Sequence, residues 1–284
     1  MSDYAFRIVN VFAEQRLGGN PLAVFENGVD LSSETMQALA LQFNLSETTF
    51  ILPSTVASAH VRIFTPTFEM PFAGHPTLGT AHVARAAGLA GDEVTLEMAV
   101  GIVPVIADGD RWTLEAKPPR TREVAASRAE LAAMLRLAPS DLGETPLWVD
   151  TGSEQMVVPL ASVDAVRRCS PEAGLLSRHG TATLADGTSR SMAYVWAMAG
   201  SDRVLCRFFF LKHGAVVEDP GTGSACANLG GWLLATSAKR PLAFSLSQGE
   251  AVGRPCHLQL AVDGSGRIFV SGRVIELAGG TLTL

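Results

Sequence analysis

His75-Pro76-Thr77-Leu78-Gly79-Thr80-Ala81 and Asp219-Pro220-Gly221-Thr222-Gly223-Ser224-Ala225 are two versions of one signature, one in each half of the chain. Each follows an arginine-led apolar stretch, Arg62-Ile63-Phe64 in the first copy and Arg207-Phe208-Phe209-Phe210 in the second, at a separation that differs by one residue. The pattern reads as strand, loop and helix, with proline in the first helical turn, where a missing N–H costs nothing. Asp219 is suited to cap its helix, and Gly221, Gly223 and Ser224 behind it leave the first-turn N–H groups open. Such a terminus attracts anions. Two of them facing one cleft would suit a small carboxylic acid. For either copy alone, a cap and a loop residue would suffice; the duplication shifts the reading toward function.

The rest of the chain sets bounds on that reading. Its 284 residues suit two domains on the usual range of roughly 100–200 residues each, and the repeat favours two. Hydrophobic residues make up 47% and charged residues 18%, with mean hydropathy +0.23, so a large core can be buried. Net charge is −6, from 22 basic against 28 acidic residues, with no long basic run, and nucleic acid is not expected as a partner. The N-terminal residues do not read as a secretory signal and no apolar run approaches membrane-spanning length, so a cytoplasmic protein is expected. Cys169, Cys206, Cys226 and Cys256 are widely spaced and are expected as free thiols.

Along the chain, strands are expected at Arg7 to Val11, Leu22 to Phe25, Glu47 to Leu52 and Val61 to Phe64. A helix is expected from Ser32 to Asn44 on the spacing of Met36, Leu39, Ala40 and Phe43. Thr77 to Gly88 reads as a second helix. Lys117-Pro118-Pro119-Arg120-Thr121-Arg122 reads as the linker, and a helix near Arg128 to Leu135 reopens the second half. At the C-terminus, Arg267 to Val270 and Arg273 to Leu277 read as separate strands. Many strands around a single main helix per half make the fold class α+β.

Glu47 lies at the edge of an apolar segment bounded by Leu45 and Phe50. Burial would raise its pKa from about 4.3 toward the range useful for proton transfer, whereas a surface glutamate would have no such role. His75 could exchange hydrogen bonds with a substrate; Asp219 could orient a polar group and Ser224 could offer a hydroxyl. Glu218 reads as solvent-facing. Gly221-Thr222-Gly223 lacks the third glycine of a dinucleotide site, since Cys226 stands there, and no Walker loop or Gly-x-Ser-x-Gly elbow occurs. The histidines lack close ligand spacing, so no metal is expected.

Taken together, Gly19-Asn20-Pro21-Leu22-Ala23-Val24, Asn44-Leu45-Ser46-Glu47-Thr48-Thr49-Phe50, Arg62-Ile63-Phe64-Thr65-Pro66, Phe72-Ala73-Gly74-His75-Pro76-Thr77, Glu218-Asp219-Pro220-Gly221-Thr222-Gly223-Ser224 and Gln248-Gly249 make the chain, nearly end to end, resemble the phenazine-biosynthesis isomerase family of the diaminopimelate-epimerase-like superfamily. The resemblance implies two similar lobes, residues 1–118 and 119–277, with a C-terminal strand at 278–284 packing on the first. Each lobe is expected to be a curved, mostly antiparallel sheet around a central helix, the active site to lie in the cleft, and the protein to be a homodimer. It implies a double-bond shift without cofactor or metal, with Glu47 as acid/base, His75 and Asp219 at its side, and Gly74, Pro76, Thr77, Gly223 and Ser224 as the substrate-binding set. The chain departs from the family at Leu211, Cys226 and Cys256-His257. Sister families act as racemases with one cysteine from each half; the first half has none here, which leaves a racemase with other bases, or a silent binding protein, as alternatives.

Overall fold

The computed structural model describes residues 1–183 and 187–284. The chain divides into two units, Met1–Glu115 with Ser271–Leu284, and Ala116–Val270. The expected boundary at 118 and return at 278 therefore move to 115 and 271. The cause is pairing: Val274, Ile275 and Glu276 stand opposite Val11, Asn10 and Val9, which ties this stretch to the first strand of the chain. The expected strands at Arg267 to Val270 and Arg273 to Leu277 are one continuous strand, Ile268–Thr283, whose later residues belong to the first unit.

In the first unit Asp3–Val11 pairs antiparallel with Asn20–Phe25, which runs parallel to Glu47–Leu52; that strand pairs antiparallel with Ala59–Phe64. Ala59–Phe64 continues parallel to Glu93–Met98, followed by Gly101–Asp108 and Arg111–Glu115. Arg111–Glu115 then meets the last strand, where the Val274 N–H donates to the Asp110 carbonyl at 2.9 Å, and the ring closes. Inside it lies the helix Gly74–Ala86, buried on nearly every side. Two of its threonines are paired within the unit: the Thr77 hydroxyl donates to the Ala73 carbonyl at 2.7 Å and the Thr80 hydroxyl meets that of Thr49 at 2.8 Å. Gly79 permits the closest approach, since a Cβ there would lie 2.6 Å from Leu22 Cδ2.

The second helix of this unit, Ser33–Phe43, follows its sequence signals closely. The Ser32 hydroxyl accepts the Thr35 N–H, Asn44 closes the helix in the left-handed region, and Met36, Leu39 and Ala40 are buried. They pack with Phe25, Phe50 and Phe64.

The main strands of the second unit repeat the pairing order of the first. Leu147–Asp150 pairs antiparallel with Glu154–Pro159, which runs parallel to Ser189–Met198; Arg203–Lys212 follows antiparallel, then Leu242–Gln248 parallel and Cys256–Val262 antiparallel. Its central helix is Gly223–Thr236. The single main helix expected for each half is there, and the expected helix Arg128–Leu135 stands beside it with two short ones. Arg128–Leu135, Val163–Arg168 and Ala173–His179 also pack here, burying Leu131, Leu135, Val166 and Leu176 in one cluster. The last two are too short to show helical periodicity. The expected linker is likewise partly a strand, Arg120–Glu123, because Arg122 forms two hydrogen bonds with Glu154 at 2.7 and 2.9 Å and stacks on Trp148.

Gly249 is the tightest joint of this unit. Its φ of +82° favours glycine, and an added Cβ would lie 2.2 Å from the Arg254 carbonyl oxygen and 2.5 Å from that of Pro220. Gly249→Ala is expected to lower unfolding free energy by about 2–4 kcal/mol in urea titration. Gly253→Ala, at φ +68° with open space around it, should cost only about 1 kcal/mol and separates backbone strain from the clash.

Candidate functional site

Glu47 is the first residue of its strand and stands beside Leu22 on the parallel neighbour, one residue before Thr48 pairs with Phe64. His75 is the second residue of the enclosed helix, not a loop residue ahead of it, because the helix begins at Gly74 rather than near Thr77. These positions bring Glu47 Oε2 within 3.3 Å of His75 Nε2, with the two side chains 16% and 6% exposed. On the other side of the imidazole, Asn20 Nδ2 lies 3.3 Å from Nδ1. Asn20 opens the strand Asn20–Phe25 and is fully buried. It stands in the Gly19-Asn20-Pro21 motif, yet only the fold reveals that it touches His75.

Burial lowers the pKa of His75 to about 3, against an opposing hydrogen bond with the Pro21 backbone. The ring is neutral at physiological pH, so it carries one proton on its two nitrogens. The contact with Glu47 is close but does not meet hydrogen-bond geometry, and among the described residues Nε2 has no hydrogen-bond partner. A carboxyl and a neutral imidazole so placed can hand one proton to a bound molecule and take it back. Gly74, as the first residue of the helix, has no acceptor one turn back for its N–H. Pro76 has no N–H to offer a ligand. Thr77 directs both its hydroxyl and its N–H to the Ala73 carbonyl, so neither group is open to a substrate, contrary to expectation.

In the second unit the signature is displaced by the fold. The helix starts at Gly223 with Thr222 as its N-cap, and Asp219 is the last residue of the strand Ala215–Asp219 rather than a helix cap. The Asp219 carboxylate accepts from the Thr222 hydroxyl. Gln248, fully buried, donates to the Asp219 carbonyl at 2.9 Å and to Thr222 Oγ1 at 3.0 Å, while its own carbonyl accepts the Thr222 N–H. Gln248-Gly249 therefore shapes the turn that leads into the helix. Ser224 is the second helical residue, and its Oγ accepts from Gln155 Nε2 at 2.9 Å.

Glu218 is not solvent-facing. It holds Arg207 through two contacts of 3.1 and 2.6 Å, with only 8% of its side chain exposed. Arg62 and Glu69 form the matching pair in the first unit, at 2.7 and 2.6 Å. These pairs set the true register of the repeat. Phe64 stands opposite Glu69 and Phe209 opposite Glu218, and three residues then separate Met70 from Gly74 and Asp219 from Gly223. His75 is thus equivalent to Ser224, and Asp219 to Met70. Carried along the sheet registers, Glu47 corresponds to Met192.

All four cysteines are free and buried in the second unit. Burial pushes the Cys169 and Cys206 thiols up to about 12 and raises those of Cys226 and Cys256 as well, so none is a thiolate near neutrality. Among the described residues no group of three or more His, Cys, Asp or Glu could hold a metal ion, and no helix is long and apolar enough to cross a membrane.

The model of a family described as phenazine biosynthesis-like protein matches residues 9–280. An uncharacterised isomerase of Pasteurella multocida (strain Pm70) is 38% identical, over 99% of this chain and 95% of that protein. The trans-2,3-dihydro-3-hydroxyanthranilate isomerase of Pseudomonas aeruginosa (strain PAO1) is 35% identical, over 98% of each. The crystal structure of a phenazine biosynthesis protein of the PhzF family from Bacillus anthracis aligns with a TM-score of 0.85 at 22% identity, covering 100% of both chains. The chain belongs to the phenazine biosynthesis-like family and has its α+β, diaminopimelate-epimerase-like fold. It is an enzyme of the isomerase class.

The buried histidine makes a pH prediction. Its pKa is about 3 in the folded chain and about 6.5 when unfolded, so acid protonates the unfolded state first. Stability is full above pH 6.5 and falls as pH drops toward 3, by up to about 1.4 kcal/mol per pH unit from this group. Chemical denaturation at pH 7, 5.5 and 4 should show a shallower acid loss for His75→Gln than for the wild type.

Proposed function

We propose that the chain is a cofactor-independent isomerase that shifts a double bond on a small carboxylic acid, with Glu47 as the general acid/base. The observation that carries the reading is the 3.3 Å contact between Glu47 Oε2 and the buried, neutral His75. The carboxylate takes a proton from one carbon of the substrate and, as the acid, returns a proton to another carbon of the same molecule while the double bond moves. Atoms and charge balance within the pair, and nothing is oxidised. His75 stands beside the carboxyl and, as a neutral ring, can present either an N–H or a lone pair to it as the substrate binds.

The substrate's carboxylate is assigned to the Gly74 N–H at the helix start of the first unit; Gly223 and the Ser224 hydroxyl offer donors of the same kind at the helix start of the second. Asp219 holds Thr222 and keeps the second of these turns in shape. The relative from Pseudomonas aeruginosa is named for an amino-substituted, hydroxylated cyclic dienoic acid, and a substrate of that class fits the reading.

The test uses deuterated water and trans-2,3-dihydro-3-hydroxyanthranilate, followed by a metabolite mixture if that compound is inert. The wild type should introduce solvent deuterium at carbon. Glu47→Gln should lose the exchange by at least about a thousandfold while still binding the ligand. Exchange that survives in Glu47→Gln removes Glu47 from the role.

A further inference from the structure

A line of buried side chains in the second unit runs from a main-chain N–H to Ser224. The Thr151 backbone N–H donates to Asn228 Oδ1 at 2.9 Å and the Thr151 hydroxyl donates to the same oxygen at 2.7 Å. The direction at this end is unambiguous, because a backbone amide can only donate. Asn228 therefore turns its Nδ2 the other way, to the Ser153 carbonyl at 2.8 Å and to Gln155 Oε1 at 2.9 Å. With its oxygen so committed, Gln155 presents Nε2 to Ser224 Oγ at 2.9 Å. Thr151, Gln155 and Asn228 are 6%, 3% and 0% exposed, so water does not compete along the line.

We infer that Gln155 is a positioning residue that fixes the polarity of Ser224. An amide N–H donating to Oγ occupies a lone pair and excludes the hydroxyl proton from that side. No described residue accepts from Ser224, so the O–H points away from Gln155 and serves as a donor to a ligand oxygen. Ser224 thereby keeps its one O–H for an acceptor, a carboxylate or carbonyl oxygen of the ligand.

The first unit shows what the network replaces. Through the sheet registers Gln155 corresponds to Leu22, and counted from the helix starts Asn228 corresponds to Gly79. Leu22 packs directly over Gly79. The same two positions hold an apolar contact in one unit and an amide pair in the other. Helix packing alone does not require amides, and buried ones are costly unless every group is bonded.

The inference rests on the reading of Ser224 as a ligand contact, and the experiment separates the two. Neutron diffraction from the deuterated protein should place the Ser224 deuteron on the side away from Gln155, with a Gln155 Nε2 deuteron directed at Oγ. A Ser224 deuteron directed at Gln155 overturns the assigned polarity. Titration calorimetry with anthranilate as the carboxylate probe then reads its use. Ser224→Ala should weaken binding about tenfold, Gln155→Met should weaken it by several fold, and the double variant should bind no more weakly than Ser224→Ala alone. Losses that simply add overturn the positioning role. An unchanged affinity in Ser224→Ala refutes the ligand contact while leaving the polarity as the neutron map finds it. Failure of the wild type to bind anthranilate at millimolar concentration overturns the use of the O–H for a carboxylate.

Discussion

Enclosure of the Gly74–Ala86 helix by the strands of its unit is the constraint on which the candidate chemistry depends. Gly79 lets the helix approach Leu22, and the paired hydroxyls of Thr49 and Thr80 fasten it to the strand that begins at Glu47. With the helix so placed, its second residue is almost closed to water. His75 is neutral for that reason, and it meets Glu47 because strand and helix both begin at the same end of the unit. Loosening the helix would rehydrate the ring and return its pKa toward the ordinary value.

The two units share a frame but not a chemistry. In each, an arginine on one strand grips a glutamate on the return strand of a hairpin, and the helix follows after the same interval. These pairs bridge the hairpin that feeds the helix start, and the partly buried Arg207–Glu218 pair holds its geometry more firmly than the half-exposed Arg62–Glu69 pair. Upon that common frame the first unit places a carboxyl against an imidazole, and the second places a serine at the end of a line of amides. The position equivalent to Glu47 is a buried methionine, Met192, so the carboxyl has no counterpart in the second unit.

The motif residues divide by the same logic. Gly74, Gly223 and Ser224 lie in first turns, where the helix supplies no acceptor for their N–H groups. Thr77 and Pro76, equally prominent in the motif, are taken up by the helix. Their function is in the helix itself, where proline begins the turn and the threonine hydroxyl returns to the main chain.

Local signals in the chain determined a good deal. The Ser32 cap, the Asn44 stop and the spacing of Met36, Leu39 and Ala40 define one helix, and alternation and turn residues mark most strands. The duplicated signature identifies two related halves, and Glu47, His75 and Ser224 stand out within their motifs. What the chain could not reveal is register across distance. Aligned by eye, His75 matches Asp219, but the hairpin geometry matches His75 to Ser224 and turns Glu218 from a surface residue into a buried partner of Arg207. Gln155 and Asn228 carry no local signal, and the motif around Asn20 does not say what it touches, since an amide in a strand or helix looks alike whether it faces solvent or another amide. Only tertiary structure decides which buried groups meet. Hydrogen bonds between residues 55, 69 and 73 positions apart depend on how the sheets pair, and no stretch of sequence short enough to read contains both partners.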